Sequence, residues 1–369
     1  VTDADAVHMR RCLALAERWR GKTAPNPIVG CVIVRRGAVI AEGVHRGPGT
    51  RHAEADALAK LGGRARGATL YVNLEPCMHQ GRTPPCMPAV RDAGVARVVY
   101  GSADPVRGHG GGAAALRRAG VRVDRALVDA CDAANRGFLT WGRDGRCAFT
   151  LKAGITLDGK IATVAGESRW ITSEVARRDA MAARAQHGAI VVGVGTVIAD
   201  DPRLDIRGVR GARDPLRVVL DSRLRTPVTA RVLPANATSK VGCLIACGER
   251  APASRERVLH ARGAEILRLP VDRRGRVAPG PLARALAARG ITDALVEGGG
   301  QVHAALLAAG LADRVLLYVA PIVIGGPAPS WVGGDGVARL AAAHRFVVDA
   351  VTALRGGDLR IALSSPRVR

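Results

Sequence analysis

Aromatic residues make up only 3% of this 369-residue chain. That scarcity argues against the base-stacking platforms of single-strand nucleic-acid binders. Lysine is scarcer still. Only Lys22, Lys60, Lys152, Lys160 and Lys240 occur among 55 basic residues, the rest being arginine. No apolar run approaches the roughly 18 residues that a membrane-spanning helix needs. The opening stretch VTDADAVHMR is acidic and has no apolar core, so it does not read as a signal peptide. The eight cysteines lack the even, close spacing of a disulfide framework, and a reducing cytoplasm is the expected compartment.

At this length two domains are expected, and a 48% hydrophobic content can supply a core for each. The net charge of +23 suggests nucleic acid first. The arginines, however, are scattered through every segment and form no single block. Arginine serves small phosphorylated ligands equally well through bidentate hydrogen bonds. Small phosphorylated partners, with neither nucleic acid nor membrane, are therefore expected.

The most informative constellation is His52-Ala53-Glu54, followed by Pro76-Cys77 and Pro84-Pro85-Cys86. Catalytic zinc takes three nitrogen or sulfur ligands and keeps the fourth position for water. His52, Cys77 and Cys86 supply that set. Glu54 is two residues from His52, about 200° around a mid-helix, where the two would diverge. At a helix N-terminus both can lean over the open end, and the stretch HAEADALAKL before Gly62-Gly63 reads as such a helix. Glu54 can then shuttle a proton from the water to a ring nitrogen and a departing amine. Cys86 opens a helix after two prolines, where the helix dipole is expected to favour its thiolate. The remaining cysteines, Cys12, Cys31, Cys131, Cys147, Cys243 and Cys247, read as core. A structural zinc knuckle would need a fourth ligand, and His79 is a candidate. The thiol pair is spaced C-x8-C, wider than the C-x-x-C of the general zinc deaminase signature.

The first half alternates helix and strand: a helix over residues 3–20, strands IVGCVIV and AVIAEGV, the His52 helix, ATLYVNLEP, the cysteine helix, ARVVYG, a short helix, VRVD and a helix over residues 127–141. This is a layered α/β sheet with the metal elements at strand ends. GRDGR marks a linker near residues 143–147. A second α/β series follows, with strands FTLKAGITLDGKIA, GAIVVGVG, LRVVLD, GCLIAC, AEILRL, DALVEGGG and RVLLYVAPIVIG. Glu297-Gly298-Gly299-Gly300 and Gly193-Val194-Gly195-Thr196 end strands in glycine turns that can cradle phosphate. Neither is the G-x-G-x-x-G fingerprint.

The motifs PNPIVGCVIV, GTRHAE, EPCMHQGRTPPC, KAGITLDGKIA, SRWIT, VGVGTVIADDPRL and VEGGG, in this order, resemble the bifunctional deaminase–reductases of riboflavin biosynthesis, from about Met9 to Gly326. The resemblance implies an α/β chain with a cytidine-deaminase-like three-layer domain over residues 1–146 and a dihydrofolate-reductase-like domain over 147–369. It implies Zn2+ and NADPH as cofactors. The reactions would be hydrolytic deamination of a diaminopyrimidinone carrying ribosylamine phosphate, then hydride transfer to C1′ of the opened ribose. A homo-oligomer, dimer or tetramer, is the expected assembly.

Carried over by motif, Asn26, His79 and Arg82 contact the first substrate. Gly154, Trp170, Thr196, Asp200, Ser222, Gly299, Gly300, Gln301, Val302, His303, Ala304 and Ala305 contact the cofactor. Lys152, Ser168, Arg184, Leu204, Arg207 and Glu297 contact the second substrate. Taken alone, Arg184 and Arg207 read as solvated charges, Trp170 as core, and Asp200 as a turn cap before Pro202. The resemblance assigns no site to the stretch after Gly326. Two other classes stay open: a tRNA base deaminase, favoured by the charge, and a zinc-stabilised binding protein without activity.

Overall fold

The computed structural model describes residues 2–237 and 241–366. The chain divides between Gly145 and Arg146 into two compact units.

The first unit holds strands β1 (Gly30–Arg35), β2 (Ala38–Val44), β3 (Thr69–Leu74), β4 (Arg97–Ser102) and β5 (Arg122–Arg125), in the order β2-β1-β3-β4-β5. β1 runs antiparallel to β2 and β3, whereas β3, β4 and β5 are parallel. Its helices are α1 (Asp3–Glu17), α2 (Ala53–Ala59), α3 (Cys86–Asp92), α4 (Gly112–Arg118), α5 (Val128–Ala134) and α6 (Arg136–Asp144). Alternate residues of β1 serve opposite faces, as a period of two requires. Cys31 and Ile33 pack with Ala53, Ala57, Val90 and Leu116 of α2, α3 and α4. Val32 and Val34 pack with Met9, Cys12 and Cys131 of α1 and α5. The unit is thus a three-layer sandwich, as expected.

Helix α1 starts in a capping box between Thr2 and Asp5 and ends at Glu17, three residues before the expected Arg20. The helix expected over residues 127–141 is broken at Asn135. That residue leaves helical geometry, and its buried amide holds both the N–H and the C=O of Ile28 at 2.9 Å. A tertiary bond outweighs helix continuity there.

The second unit has strands β6 (Ala148–Thr156), β7 (Ala189–Gly193), β8 (Leu216–Leu220), β9 (Cys243–Gly248), β10 (Ala264–Leu269), β11 (Asp293–Val296), β12 (Ala312–Ala320), β13 (Val347–Ala353) and β14 (Leu359–Ser364). They form one sheet, β10-β9-β8-β7-β11-β6-β12-β14-β13, parallel except for the β13–β14 hairpin, which joins β12 antiparallel. Helices α7 (Glu174–Arg184), α8 (Val194–Asp200), α9 (Ala253–His260), α10 (Pro279–Ala288) and α11 (Gly300–Ala308) complete it. Both faces are covered. Val191, Val218 and Leu244 serve one cluster, and Ile190, Val192, Val219 and Ile245 another.

The strand expected through Ala162 stops at Thr156. Asp158 turns the chain there and accepts hydrogen bonds from the N–H groups of Ile324 and Gly325. The sequence reading missed α8, which is rich in glycine and β-branched residues, and the mostly exposed hairpin β13–β14. No helix among the described residues is long and apolar enough to cross a membrane.

Candidate active sites

In the first unit, α2 lies against β2 so closely that a Cβ on Gly43 would fall 2.0 Å from the Ala53 carbonyl oxygen. Only glycine permits that approach, and it fixes the start of α2. His52 is the N-cap residue in extended conformation, and Glu54 sits buried in the first turn. Both therefore lean over the open helix end, as the sequence predicts.

Cys77 follows β3 by three residues. Glu75 ties down the intervening loop, its carboxylate accepting the N–H groups of Gly111, Ala113 and Asp104. Sequence reasoning passed over Glu75, although its place beside Pro76-Cys77 was the available signal. Cys86 opens α3 with Pro85 as N-cap.

The ligand atoms of His52, Cys77 and Cys86 lie within 4.8 Å of one another. His52 Nδ1 is 3.5 Å from Cys77 Sγ and 3.3 Å from Cys86 Sγ. Tetrahedral zinc with sulfur at about 2.3 Å and nitrogen at about 2.0 Å needs ligand separations close to these, so the donor set fits the metal. The other ring nitrogen, Nε2, lies 3.2 Å from Thr83 Oγ1, a hydroxyl that can fix the imidazole orientation. His79 is not in the cluster. It stacks on His109 with centroids 3.5 Å apart, so the knuckle with His79 as fourth ligand has no support.

Burial and the neighbouring Cys77 thiolate push the Glu54 carboxyl up to about 7. The Cys86 thiol donates to Cys77, and with His52 beside it Cys77 is drawn down to about 4. The same contact, reinforced by burial, holds Cys86 well above the usual thiol range. Cys77 also accepts the Cys86 backbone N–H at 3.4 Å.

These groups open into a cavity of about 360 Å³ lined by Asn26, His45, His52, Glu54, Cys77, His79 and Arg82, among others. The three residues expected around the first substrate therefore share a wall with the metal cluster. His45 was not foreseen. Its ring is buried, and that burial lowers its pKa.

Two clefts among the described residues of the second unit gather the expected residues. The larger, about 830 Å³, is lined by ten of the twelve residues expected around the cofactor: Gly154, Thr196, Asp200, Ser222, Gly299, Gly300, Gln301, Val302, His303 and Ala305. Gly299 has φ of 73°, and a Cβ on Gly300 would lie 2.5 Å from the Ser330 carbonyl. This is a close backbone packing that only glycine allows. Ala304 and Trp170 do not line this cleft. Trp170 is 69% exposed, with the Arg177 guanidinium 4.3 Å from its ring centroid, so it is not core, and it lines the second cleft described below. Pro329 and Trp331, from the stretch to which no site was assigned, line it as well.

The second cleft, about 620 Å³, is lined by Trp170, Arg184, Leu204, Arg207 and further arginines. Lys152, Ser168 and Asp200 line both clefts. Arg184 is 8% exposed and not a solvated charge. It pairs with Glu297, which lines the larger cleft, and donates to the Asp205 carbonyl. Lys152 Nζ is 3.8 Å from the same carboxylate. Burial alone would raise the Glu297 pKa, but Arg184 and Lys152 outweigh it and hold the carboxyl at about 2. Arg207 is exposed, its Nε 3.5 Å from Asp205 Oδ1.

Comparison with known proteins covers both units. Residues 148–353 match the family model "RibD C-terminal domain". Residues 2–102 match the model "Cytidine and deoxycytidylate deaminase zinc-binding region". The riboflavin biosynthesis protein RibD of Actinobacillus pleuropneumoniae is 39% identical over 364 residues, covering 97% of this chain and 94% of the relative. That of Escherichia coli is 38% identical over 356 residues, covering 93% and 94%. Among solved structures, Acinetobacter baumannii RibD aligns with a TM-score of 0.84 at 36% identity, covering 98% of this chain and 99% of the other. A diaminohydroxyphosphoribosylaminopyrimidine deaminase/5-amino-6-(5-phosphoribosylamino)uracil reductase from Thermotoga maritima aligns with a TM-score of 0.83 at 31% identity, with the same coverage. Likeness across both halves leaves no room for a tRNA base deaminase or an inactive zinc-binding protein.

Proposed function

This chain belongs to the RibD family of bifunctional deaminase–reductases of riboflavin biosynthesis, and from that premise we propose how its residues divide the two reactions. Residues 1–146 form the deaminase, which acts on 2,5-diamino-6-ribosylamino-4(3H)-pyrimidinone 5′-phosphate. Residues 147–369 form the reductase, which uses NADPH to yield 5-amino-6-ribitylamino-uracil 5′-phosphate.

In the deaminase, His52, Cys77 and Cys86 would hold zinc, which when bound polarises a water toward hydroxide. Glu54 takes the proton at its carboxylate and returns it to the ring nitrogen and the leaving amine. Its raised pKa suits a group that must both accept and give a proton near neutrality. Asn26, His79 and Arg82 bind the pyrimidine and its phosphate from the cavity wall.

In the reductase, the nicotinamide cofactor supplies hydride and occupies the glycine-lined cleft, while the substrate enters the arginine-rich one. The observation that carries this reading is that Lys152, Ser168 and Asp200 line both clefts. The reacting carbons must meet at such a junction, since hydride transfer needs near contact. Arg207 grips the substrate phosphate.

The preference for NADPH over NADH rests on Arg223 and Arg225. Both are exposed in the wall beside Ser222, without an ion-pair partner among the described residues. A free guanidinium there suits a ribose 2′-phosphate. Replacing both by alanine should raise KM for NADPH at least tenfold and leave KM for NADH nearly unchanged. Equal losses with the two cofactors would count against this placement.

A homo-oligomer is part of the reading, supported by exposed Val348 and Val351 on the edge strand β13, and sedimentation would test it. Eight free, buried cysteines suit a reducing cytoplasm.

A further inference from the structure

Asn26 is held by its backbone. Its N–H donates to the Thr23 carbonyl at 2.9 Å, and its own carbonyl accepts the Thr23 hydroxyl at 3.0 Å. What remains free is the rotation of its side-chain amide, whose two ends have opposite hydrogen-bonding character. The amide lies in the wall of the deaminase cavity beside the ring of His45.

The polarity of the contact between them follows from the groups around His45. Nδ1 of His45 lies 3.2 Å from the Arg51 carbonyl oxygen, which can only accept. It also lies 3.5 Å from Thr50 Oγ1, whose own hydrogen is donated to the Gly47 carbonyl at 2.8 Å. Both neighbours of Nδ1 are therefore acceptors, and Nδ1 carries the hydrogen. The ring is 3% exposed, has no carboxylate partner among the described residues and meets the ring of His52 edge-on with centroids 5.4 Å apart, so nothing beside it offsets a positive charge. Nε2 then presents a lone pair. The Asn26 group 2.9 Å away must donate, and it is Nδ2. Oδ1 has no donor among the described residues and is left for the cavity.

We infer that His45 is a positioning residue: through the chain Arg51 carbonyl–His45–Asn26 it fixes the Asn26 amide with its oxygen toward the substrate, so that the deaminase selects a heterocycle edge bearing an N–H or amino hydrogen. The assignment to substrate choice rests on the deaminase reading of this cavity. The relay itself does not. Its origin is the residue next to His52, so the loop that presents the metal ligand also sets the polarity of the recognition edge. A ligand edge offering a carbonyl at the same place meets oxygen with oxygen and is rejected, because a buried acceptor without a donor loses its hydration uncompensated.

The test uses the zinc-loaded full chain. Imidazole nitrogen NMR, with the His45 signals identified by their loss in His45→Phe, should show the hydrogen on Nδ1. A hydrogen on Nε2 would overturn the relay. In kinetics, His45→Phe should raise KM for deamination about tenfold, the cost of one hydrogen bond at a binding edge, with kcat less affected. His45→Gln, whose Oε1 can accept the same hydrogen, should recover most of that loss. Zinc content and NADPH oxidation by the other unit report whether the variants are folded. An unchanged KM in folded His45→Phe would sink the proposal. A wild-type chain that shows the Nδ1 hydrogen but does not deaminate the diaminopyrimidinone would fail the functional reading and leave the relay standing.

Discussion

Arg184 meets Glu297 at both carboxylate oxygens, Nε to Oε1 at 2.9 Å and Nη2 to Oε2 at 2.7 Å. The pair is buried and joins α7 to the end of β11. Glu297 therefore spends its strongest bonds on the protein, and any substrate hydroxyl takes what lone pairs remain. Replacing Glu297 by alanine strands a buried guanidinium, which costs about 3–5 kcal/mol. Urea denaturation of the full chain should show the loss in the reductase transition alone. Because Glu297 lines the cofactor cleft and its partner Arg184 the substrate cleft, substrate kcat/KM should fall and NADPH affinity, read by fluorescence titration, should weaken as well.

The same pair sets an acid limit. The folded pKa of Glu297, about 2, lies below the ordinary 4.5. Its contribution to stability is therefore complete above about pH 4.5 and lost as pH falls toward 2. Reductase melting temperature, followed from pH 6 to about pH 3, should decline more steeply in the wild type than in Glu297→Gln, which has no such proton to gain. Parallel slopes would show that other carboxylates govern acid unfolding.

Glu54→Gln keeps the shape of the site but cannot carry a proton. Deamination should fall about 100- to 10,000-fold. Zinc should remain near one per chain by atomic absorption, and reduction of supplied deaminated intermediate should be unchanged. A parallel fall in the reductase rate would mean that the two units do not work independently.

Cys86→Ser should lose zinc at a chelator concentration that the wild type withstands, because a hydroxyl is a poor substitute for a thiolate ligand. NADPH oxidation should survive the same treatment. Retention of zinc with full deaminase activity would remove Cys86 from the ligand set.

Arg207→Ala should raise KM for the reductase substrate by the equivalent of about 1.5–3 kcal/mol, the range for hydrogen bonds to a charged group. Cofactor binding should not move. The opposite pattern would mean that the cofactor and substrate clefts have been exchanged.

Much of this was legible in the chain because the chemistry is local in sequence. His52 and Glu54 share one helix start, and each half shows its strand and helix periods. Position after position of the glycine turn at Gly299–Ala305 also falls on one cleft, apart from Ala304. What escaped was set by distant neighbours. Arg184 looks like any of the scattered arginines until Glu297, more than a hundred residues on, buries beside it. Trp170 looks like core, yet its ring is held in the open by Arg177. Nothing in VVDAVTA marks it as an edge strand, since its residues are exposed on both faces and do not alternate. His45 gave no signal of its own because its role depends on the hydrogen-bond polarity of three neighbouring groups.

The place of β6 in the sheet has a consequence for synthesis on the ribosome. β6 ends at Thr156, but its two neighbours are β11 and β12, and the second is complete only at Ala320. At roughly 5–20 residues per second, this central apolar strand waits about 8–33 seconds for its partners. Residues 1–145 can close their own sheet in that interval, because every strand in it pairs within the first 125 residues. The reductase half is thus the slow, aggregation-exposed part of the nascent chain. Chaperone demand during expression should fall on it, and a truncation just before Ala312 should leave a folded deaminase attached to an aggregation-prone chain that cannot finish folding.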